Sequence, residues 1–295
     1  MNKSVGQDQL AAGLSQRLKP QEFESIRRLA YEKFGLDLRK GKEELVAARL
    51  GKRMREGGFD SFEQYYQHVV SDPSGEALIG MIDSLATNHT SFLREAQHFD
   101  FLRQSVLPAL RERPRAEFWS AACSTGEEPY TLAFMLCDAW GIDAFRRVRI
   151  LATDISTKAL TGSRNAVYPE ERFTTVPSGW LRQYLLRGEG RWKGWYRVKP
   201  ELRSQIEFTR LNLVEPFSHA QLFPVIFCRN VMIYFDKATQ ETLVNRLANC
   251  LEPGGYLFIG HAESLTGVHH GLSYVRPAIY QKPAGGGGRG YKCPT

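Results

Sequence analysis

Five short apolar runs, each closing on small or polar residues, constrain this chain more than anything else in it. They are the segments 117–121 (EFWSA), 148–153 (VRILAT), 205–211 (QIEFTRL), 223–228 (FPVIFC) and 255–260 (GYLFIG), and helical periodicity separates several of them. Strands apolar at nearly every position are covered on both faces, and strands alternating with helices form a doubly wound, mainly parallel sheet. The fold class expected is therefore α/β. Open sheets of this kind bind ligands just past the carboxyl ends of their strands. The residues following each run are the ones to read for chemistry.

Ahead of the first run, apolar residues recur at helical spacing from Gln21 to about Ser84, as in Phe23, Ile26 and Ala30, then Leu45, Val46, Leu50 and Met54, then Phe62, Tyr65 and Val69. Gly35, Gly57-Gly58 and Asp72-Pro73 punctuate them. The expected organisation is a flexible tail over 1–18, a small all-helical domain over 19–84, a linker over 85–98 and the sheet domain over 99–283. The stretch from Ser163 to Pro200 is too long for one crossover. Its "LRQYLLRGEGRWKGWYRV" predicts a helix-plus-hairpin β insertion over about 164–203. Residues 284–295, glycine-rich, are expected to be flexible.

At 295 residues and 42% hydrophobic content the chain can bury a large core. It has no apolar run of membrane-spanning length and no signal-peptide segment. Its five scattered cysteines form no C-x-x-C, against a disulfide framework or a structural zinc site and for a reduced, cytoplasmic setting. No metal ligand set is expected. The net charge of +7 gathers in Arg39–Arg55 and in Arg182–Arg203. Such surfaces suit nucleic acid or an acidic protein partner, and charge alone does not choose.

The first run leads into "SAACSTGEEPYTLA" (120–133), small residues followed by two carboxylates at a helix start. Pro129 and acidic residues suit a first helical turn. The small residues also let a ligand approach the backbone, but G-x-G-x-x-G is absent and carboxylates repel a pyrophosphate. A nucleoside without phosphates fits better. Asp154, in "ATDIS", ends the second run, as a ribose acceptor or as an N-cap before "STKAL". Asn212-Leu213 follows the third run, and Arg229-Asn230, in "FCRNVMIYFD", the fourth. "LEPGGYLFIG" is expected to close the sheet. "TNHTSFLRE" (87–95) reads as a helix start, with Arg94 one turn into an otherwise apolar helix.

Together with "GHAESL", these stretches resemble the CheR-type chemoreceptor methyltransferases, from about Phe23 to Tyr280. The resemblance implies a Rossmann-like, S-adenosylmethionine-dependent fold with S-adenosylhomocysteine as product, and transfer of methyl groups to glutamates of chemoreceptors. By it, Asn88, Thr90, Arg94, Glu128, Asp154, Asn212, Leu213, Arg229 and Asn230 line the cofactor pocket. Glu127, beside Glu128, reads as a charge that decorates the helix start. Phe92-Leu93 stands where the family most often has Phe-Phe, a packing difference.

A receptor glutamate is ionised near pH 7 and needs no general base, so catalysis reduces to alignment and exclusion of water. Arg94 and Tyr234 are the candidates to orient the acceptor; Tyr234 reads equally well as a core aromatic. The resemblance implies that the basic helix near 41–56, through Lys42, Arg49, Lys52 and Arg53, meets the acidic methylation region of the receptor. In some members of that family the insertion captures a receptor C-terminal peptide, and Arg187 and Arg197 match the positions those members use, so such a peptide is an expected partner here. A nucleic-acid base methyltransferase would use the same fold, but the [DNS]-P-P-[YF] position reads Arg229-Asn230-Val231-Met232. A cofactor-binding adaptor without turnover is the third reading.

Overall fold

The computed structural model describes residues 17–85 and 89–285. The expected tails, over 1–18 and 284–295, fall almost entirely outside this range, and so does Asn88. The chain divides into two compact units at Asn88 and His89.

The first unit holds four helices among its described residues: α1 (Pro20–Phe34), α2 (Glu43–Gly57), α3 (Phe62–Ser71) and α4 (Glu76–Leu85). Gly35 and Gly58, at φ 66° and 72°, end α1 and α2 in the left-handed conformation that glycine adopts without strain. Asp72 starts α4, its carboxylate accepting from the amides of Ser74 (2.9 Å) and Ala77 (2.7 Å). The core is the predicted stripe of Phe23, Ile26, Ala30, Val46, Leu50, Met54, Phe62, Tyr65 and Val69, all buried. Leu45 departs from it and faces outward, 40% exposed.

The second unit begins with α5 (Ala96–Phe101), a π-helical turn (Leu102–Val106) and α6 (Leu107–Leu110). Then follow β1 (Ala116–Ala121), α7 (Glu127–Trp140), α8 (Ile142–Phe145), β2 (Val148–Asp154), α9 (Thr157–Asn165), β3 (Val167–Pro169), α10 (Ser178–Tyr184), β4 (Leu185–Arg187), β5 (Trp195–Val198) and α11 (Pro200–Arg203). The chain ends its described course with β6 (Ile206–Arg210), β7 (Phe223–Cys228), α12 (Lys237–Cys250), β8 (Leu251–Phe258), β9 (Ser273–Arg276) and β10 (Ile279–Gln281).

Seven strands form one sheet in the order β6-β2-β1-β7-β8-β10-β9. The first five are parallel, and β7 is buried at every residue, as its continuous apolar run requires. Strand order reverses beside β1, the first strand, which lies between β2 and β7. A crevice therefore opens at the carboxyl ends of these strands.

Two expectations need correction. "LEPGGYLFIG" does not close the sheet: β8 runs from Leu251, and the antiparallel hairpin β9–β10 continues the sheet beyond it. Its Gly254-Gly255 lies within the strand, where the register with β7 shifts between Phe223 and Val225. The insertion also holds more than a hairpin. β3 pairs with β5, giving a three-stranded sheet ordered β3-β5-β4. Three residues of Val-Tyr-Pro are too few to read as a strand without their partner.

Candidate active site

The segments that follow β1 and β7, and the one that precedes α5, carry most of the left-handed backbone. Among the described residues seven non-glycine residues have positive φ, and five of them lie here: Leu93, Glu95, Ala122, Ser124 and Asn230. Such conformations cost about 1–3 kcal/mol each and cluster at functional sites. Leu93 and Glu95 also correct the reading of "TNHTSFLRE". From His89 on, the described part of the segment is a turn rather than a helix start, and Arg94 precedes α5, which begins at Ala96.

The two adjacent carboxylates of α7 have different surroundings. Glu127 is 1% exposed; it accepts from Thr125 Oγ1 at 2.6 Å and lies 3.5 Å from Arg172 Nη1. It does not decorate the helix start but anchors it. Glu128 faces the crevice, accepting from Ser120 Oγ at 2.6 Å with its other oxygen 3.5 Å from Arg229 Nη1. Burial pushes the Glu128 carboxyl above its usual range, and Arg229 only partly offsets that.

Arg229 is the hub. Its Nη2 donates to the carbonyl of Arg94 at 2.5 Å and lies 3.2 Å from Glu95 Oε2, while the guanidinium rests 5.6 Å from the Phe99 ring centroid and 5.8 Å from that of Phe227. Asn230 donates through Nδ2 to Glu95 Oε1 (3.2 Å) and through its backbone to Glu263 Oε2 (2.9 Å). Burial raises the Glu263 carboxyl, against the lowering effect of the amides it accepts from. Burial also pushes Glu95 up, but Arg229, Asn230 and the His261 amide together bring it below its ordinary value.

Asp154 holds the turn after β1, accepting from the Ser124 amide at 2.7 Å and from the Ser156 amide at 2.9 Å. It is not the N-cap of α9; Ser156 is, accepting from the Ala159 amide. A carboxylate has lone pairs beyond these two bonds, so Asp154 can still accept from ribose hydroxyls. Asn212 bridges to Glu215 at 2.9 Å, and the Leu211 amide donates to the Asp154 carbonyl, bringing the end of β6 to that of β2. Leu213 is 7% exposed and sits in the core cluster with Trp119 and Ile226, which leaves little of it for a base to touch.

Thr90 is buried, its carbonyl accepting from Arg172 Nη1 at 3.0 Å. Arg94 Nη1 donates to the His89 carbonyl at 2.7 Å. Tyr234 follows Arg229 by five residues on a 3₁₀ turn and packs, half-buried, against the core, so the site and core readings are not exclusive. Cys123, at the crevice, is no nucleophile: burial first, then Asp154 and Glu128, push its thiol well up.

Sequence reasoning missed the braces. Glu95 and Glu263 hold Arg229 and Asn230, and both stand inside the quoted motifs. Arg172 and Tyr168 tie the insertion to the crevice, Tyr168 OH donating to the Thr125 carbonyl at 2.7 Å. Phe173 stacks on Phe92 at 4.6 Å. Nothing local in the sequence marks these long-range partners.

The predicted recognition residues fall in two places, Lys42, Arg49, Lys52 and Arg53 in the helical unit and Arg187 and Arg197 in the insertion. Lys42 and Lys52 are exposed, whereas Arg49 donates to the Leu85 carbonyl and Arg53 packs against Gly80. Arg187 lies on β4, at an edge of the small sheet, and Arg197 on its central strand, its Nε 3.3 Å from the Asn165 carbonyl. Trp192 and Trp195 are 49% and 38% exposed. They add little to the core.

A family model described as "CheR methyltransferase, SAM binding domain" matches residues 88–279, and "CheR methyltransferase, all-alpha domain" matches 21–86. The chain is similar to the chemotaxis protein methyltransferase of Borreliella burgdorferi, 38% identical over 88% of this chain and 94% of that protein. The Salmonella typhimurium protein of that name is 37% identical over 93% of this chain and 95% of its own length. For that of Escherichia coli the figures are 36%, 93% and 96%. No helix among the described residues is long and apolar enough to cross a membrane.

Proposed function

This chain belongs to the CheR methyltransferase family and is an S-adenosylmethionine-dependent methyltransferase of chemotaxis, and we propose that its acceptors are glutamate side chains of chemoreceptors, in the cytoplasm. The observation that carries the reading is the Arg229–Glu128 pair at the strand-order reversal. It is a crevice of carboxylates and one buried guanidinium, with no glycine cradle for phosphates. Arg229 Nε and Nη1 and Ser124 Oγ are buried without hydrogen-bond partners. Orphaned donors beside a carboxylate short of positive charge suit a ligand with both a carboxylate and cationic groups. When bound, S-adenosylmethionine supplies an electrophilic methyl group.

The residues supply position. Asp154 accepts from the ribose hydroxyls, Glu128 faces the cationic groups, and Arg94 or Arg229 meets the carboxylate. Tyr234 orients the acceptor. With the cofactor bound, these residues would hold an acceptor carboxylate oxygen in line with the methyl group and keep water from it. No proton moves, so the absence of a poised base from the reading is consistent with the chemistry. The helical unit, through exposed Lys42 and Lys52, meets the acidic receptor bundle, and the insertion edge captures a receptor C-terminal peptide.

Labelled S-adenosylmethionine, incubated with receptor-containing membranes and separately with nucleic acid, tests the reading. Base-labile label on receptor is expected. Label on nucleic acid alone, or none on either, sinks it.

A further inference from the structure

Behind the Arg229 clamp lies a cluster that methyl transfer does not use. Glu95 precedes α5, His98 sits in its first turn and His261 follows β8. One carboxylate oxygen and one ring nitrogen from each histidine all lie within 4.8 Å of one another. His98 is 1% exposed, yet neither of its ring nitrogens has a hydrogen-bond partner. Its Nδ1 points at Glu95 Oε2 from 3.5 Å, beyond a sound hydrogen bond, and its ring stands edge-on to His261 at 4.6 Å. A polar group left unsatisfied in the interior is destabilising, and such a group calls for a partner.

We propose that Glu95, His98 and His261 form a binding site for a divalent transition-metal ion of the zinc class, and that filling it opposes cofactor binding. Two imidazoles and one carboxylate are a ligand set that zinc takes, at about 2.0–2.2 Å from each atom. Contraction from the observed spacing is open to this cluster because His261 is exposed and its side chain can swing inward. The same exposure gives the ion an entrance and leaves a coordination position for water. The site uses no cysteine, and so the cysteine spacing says nothing against it.

The antagonism follows from Glu95. Its Oε2, the oxygen facing His98, also pairs with Arg229 at 3.2 Å, and Arg229 in turn pairs with Glu128. A dication taking that oxygen removes a partner from Arg229 and repels its guanidinium. Coupling between two binding sites is reciprocal, so the cofactor weakens the ion by the same factor. This coupling, though not the ion site itself, rests on Arg229 lining the cofactor pocket.

The test titrates zinc, and cobalt(II) as a spectroscopic probe, into chelator-stripped full-length protein carrying Cys293→Ser, which removes the thiol outside the described residues. One equivalent is expected to bind. His261→Ala, at an exposed position, is expected to weaken it about tenfold or more. Saturating zinc is expected to weaken S-adenosylhomocysteine binding about fivefold or more in the parent and not in His261→Ala. No binding by the parent, or binding that His261→Ala leaves unchanged (an adventitious ion only), overturns the site. Binding with unchanged cofactor affinity overturns the antagonism. A protein that takes the ion but never binds S-adenosylhomocysteine overturns the cofactor reading instead.

Discussion

Arg229 Nη1 lies 3.5 Å from Glu128 Oε2, joining the segment after β7 to the helix after β1 across the crevice. The same guanidinium, its side chain 2% exposed, also serves Glu95 and the Arg94 carbonyl. Buried pairs add little net stability, but removing one partner strands the other charge at about 3–5 kcal/mol. Arg229→Met is therefore expected to lower the unfolding free energy by about that much, because Glu95 and Glu128 both lose it. Glu128→Gln keeps an acceptor for Ser120 and should cost far less stability, while weakening S-adenosylhomocysteine about tenfold through the lost charge. Denaturant titration and calorimetry on both variants check this; equal losses of stability would count against the hub.

Asp154 braces the turn after β1 and, on the proposed function, also accepts from the ribose; substitution separates the two. Saturating S-adenosylhomocysteine at about 100 Kd is expected to stabilise the parent by roughly 2.7 kcal/mol. Asp154→Ala should lose much of that shift and also about 1–3 kcal/mol of intrinsic stability, since the Ser124 and Ser156 amides lose their acceptor. Asp154→Asn retains an acceptor oxygen for one of those amides and should recover stability more than affinity. Calorimetric binding as tight in both variants as in the parent would remove Asp154 from the ribose.

What the sequence disclosed follows from the range of the interactions involved. β7 was legible because six consecutive residues are buried and the run is continuously apolar. The place of Arg229, Asn230 and Asp154 at the crevice was legible because each ends or directly follows an apolar run that forms a strand. β3 was not, because three residues carry no periodicity and owe their strand to β5. Glu127 was misread for a related reason. A carboxylate in a first helical turn is ordinarily solvated, and the Arg172 that buries it arrives from 45 residues downstream, with the insertion.

His98 predicts an acid limb. Burial, and then Arg229, hold its imidazole at about 3, with Glu95 acting the other way and His261 adding to the depression. In the unfolded chain the ordinary value is about 6.5. A folded value below the unfolded one means the native state refuses a proton that the unfolded state accepts. Stability should thus fall by about 1.4 kcal/mol per pH unit as pH drops from roughly 6.5 toward 3. In chelator-treated protein, His98→Asn is expected to be less stable throughout but to show a shallower slope in that window. An unchanged slope would mean that His98 is not the group responsible.

The insertion offers β4 as an edge of its small sheet, with Leu186 48% exposed and Arg187 on the strand. A peptide carrying an aromatic and an acidic residue can add there as a strand. Arg197→Ala is expected to abolish capture of such receptor C-terminal peptides without altering cofactor affinity, since tethering acts through local concentration. Fluorescence anisotropy with labelled peptides decides it. If the parent binds no C-terminal peptide from its own organism's receptors, the idea fails.

The basic helix α2 needs a more careful substitution than its charge pattern suggests. Arg53 faces inward: a Cβ added at Gly80 would collide with its guanidinium, and its charge opposes the burial that pushes Tyr65 up to about 12. Lys52 is 77% exposed and only 3.9 Å from Glu56, a surface pair worth about 1 kcal/mol or less. Arg53→Glu should therefore lower the melting temperature and raise KM for receptor together, which says little about recognition. Lys52→Glu should raise KM for receptor, increasingly at low salt, and leave both the melting temperature and cofactor affinity near those of the parent. Receptor methylation by Lys52→Glu indistinguishable from the parent's at every ionic strength would place the receptor elsewhere than on this helix face.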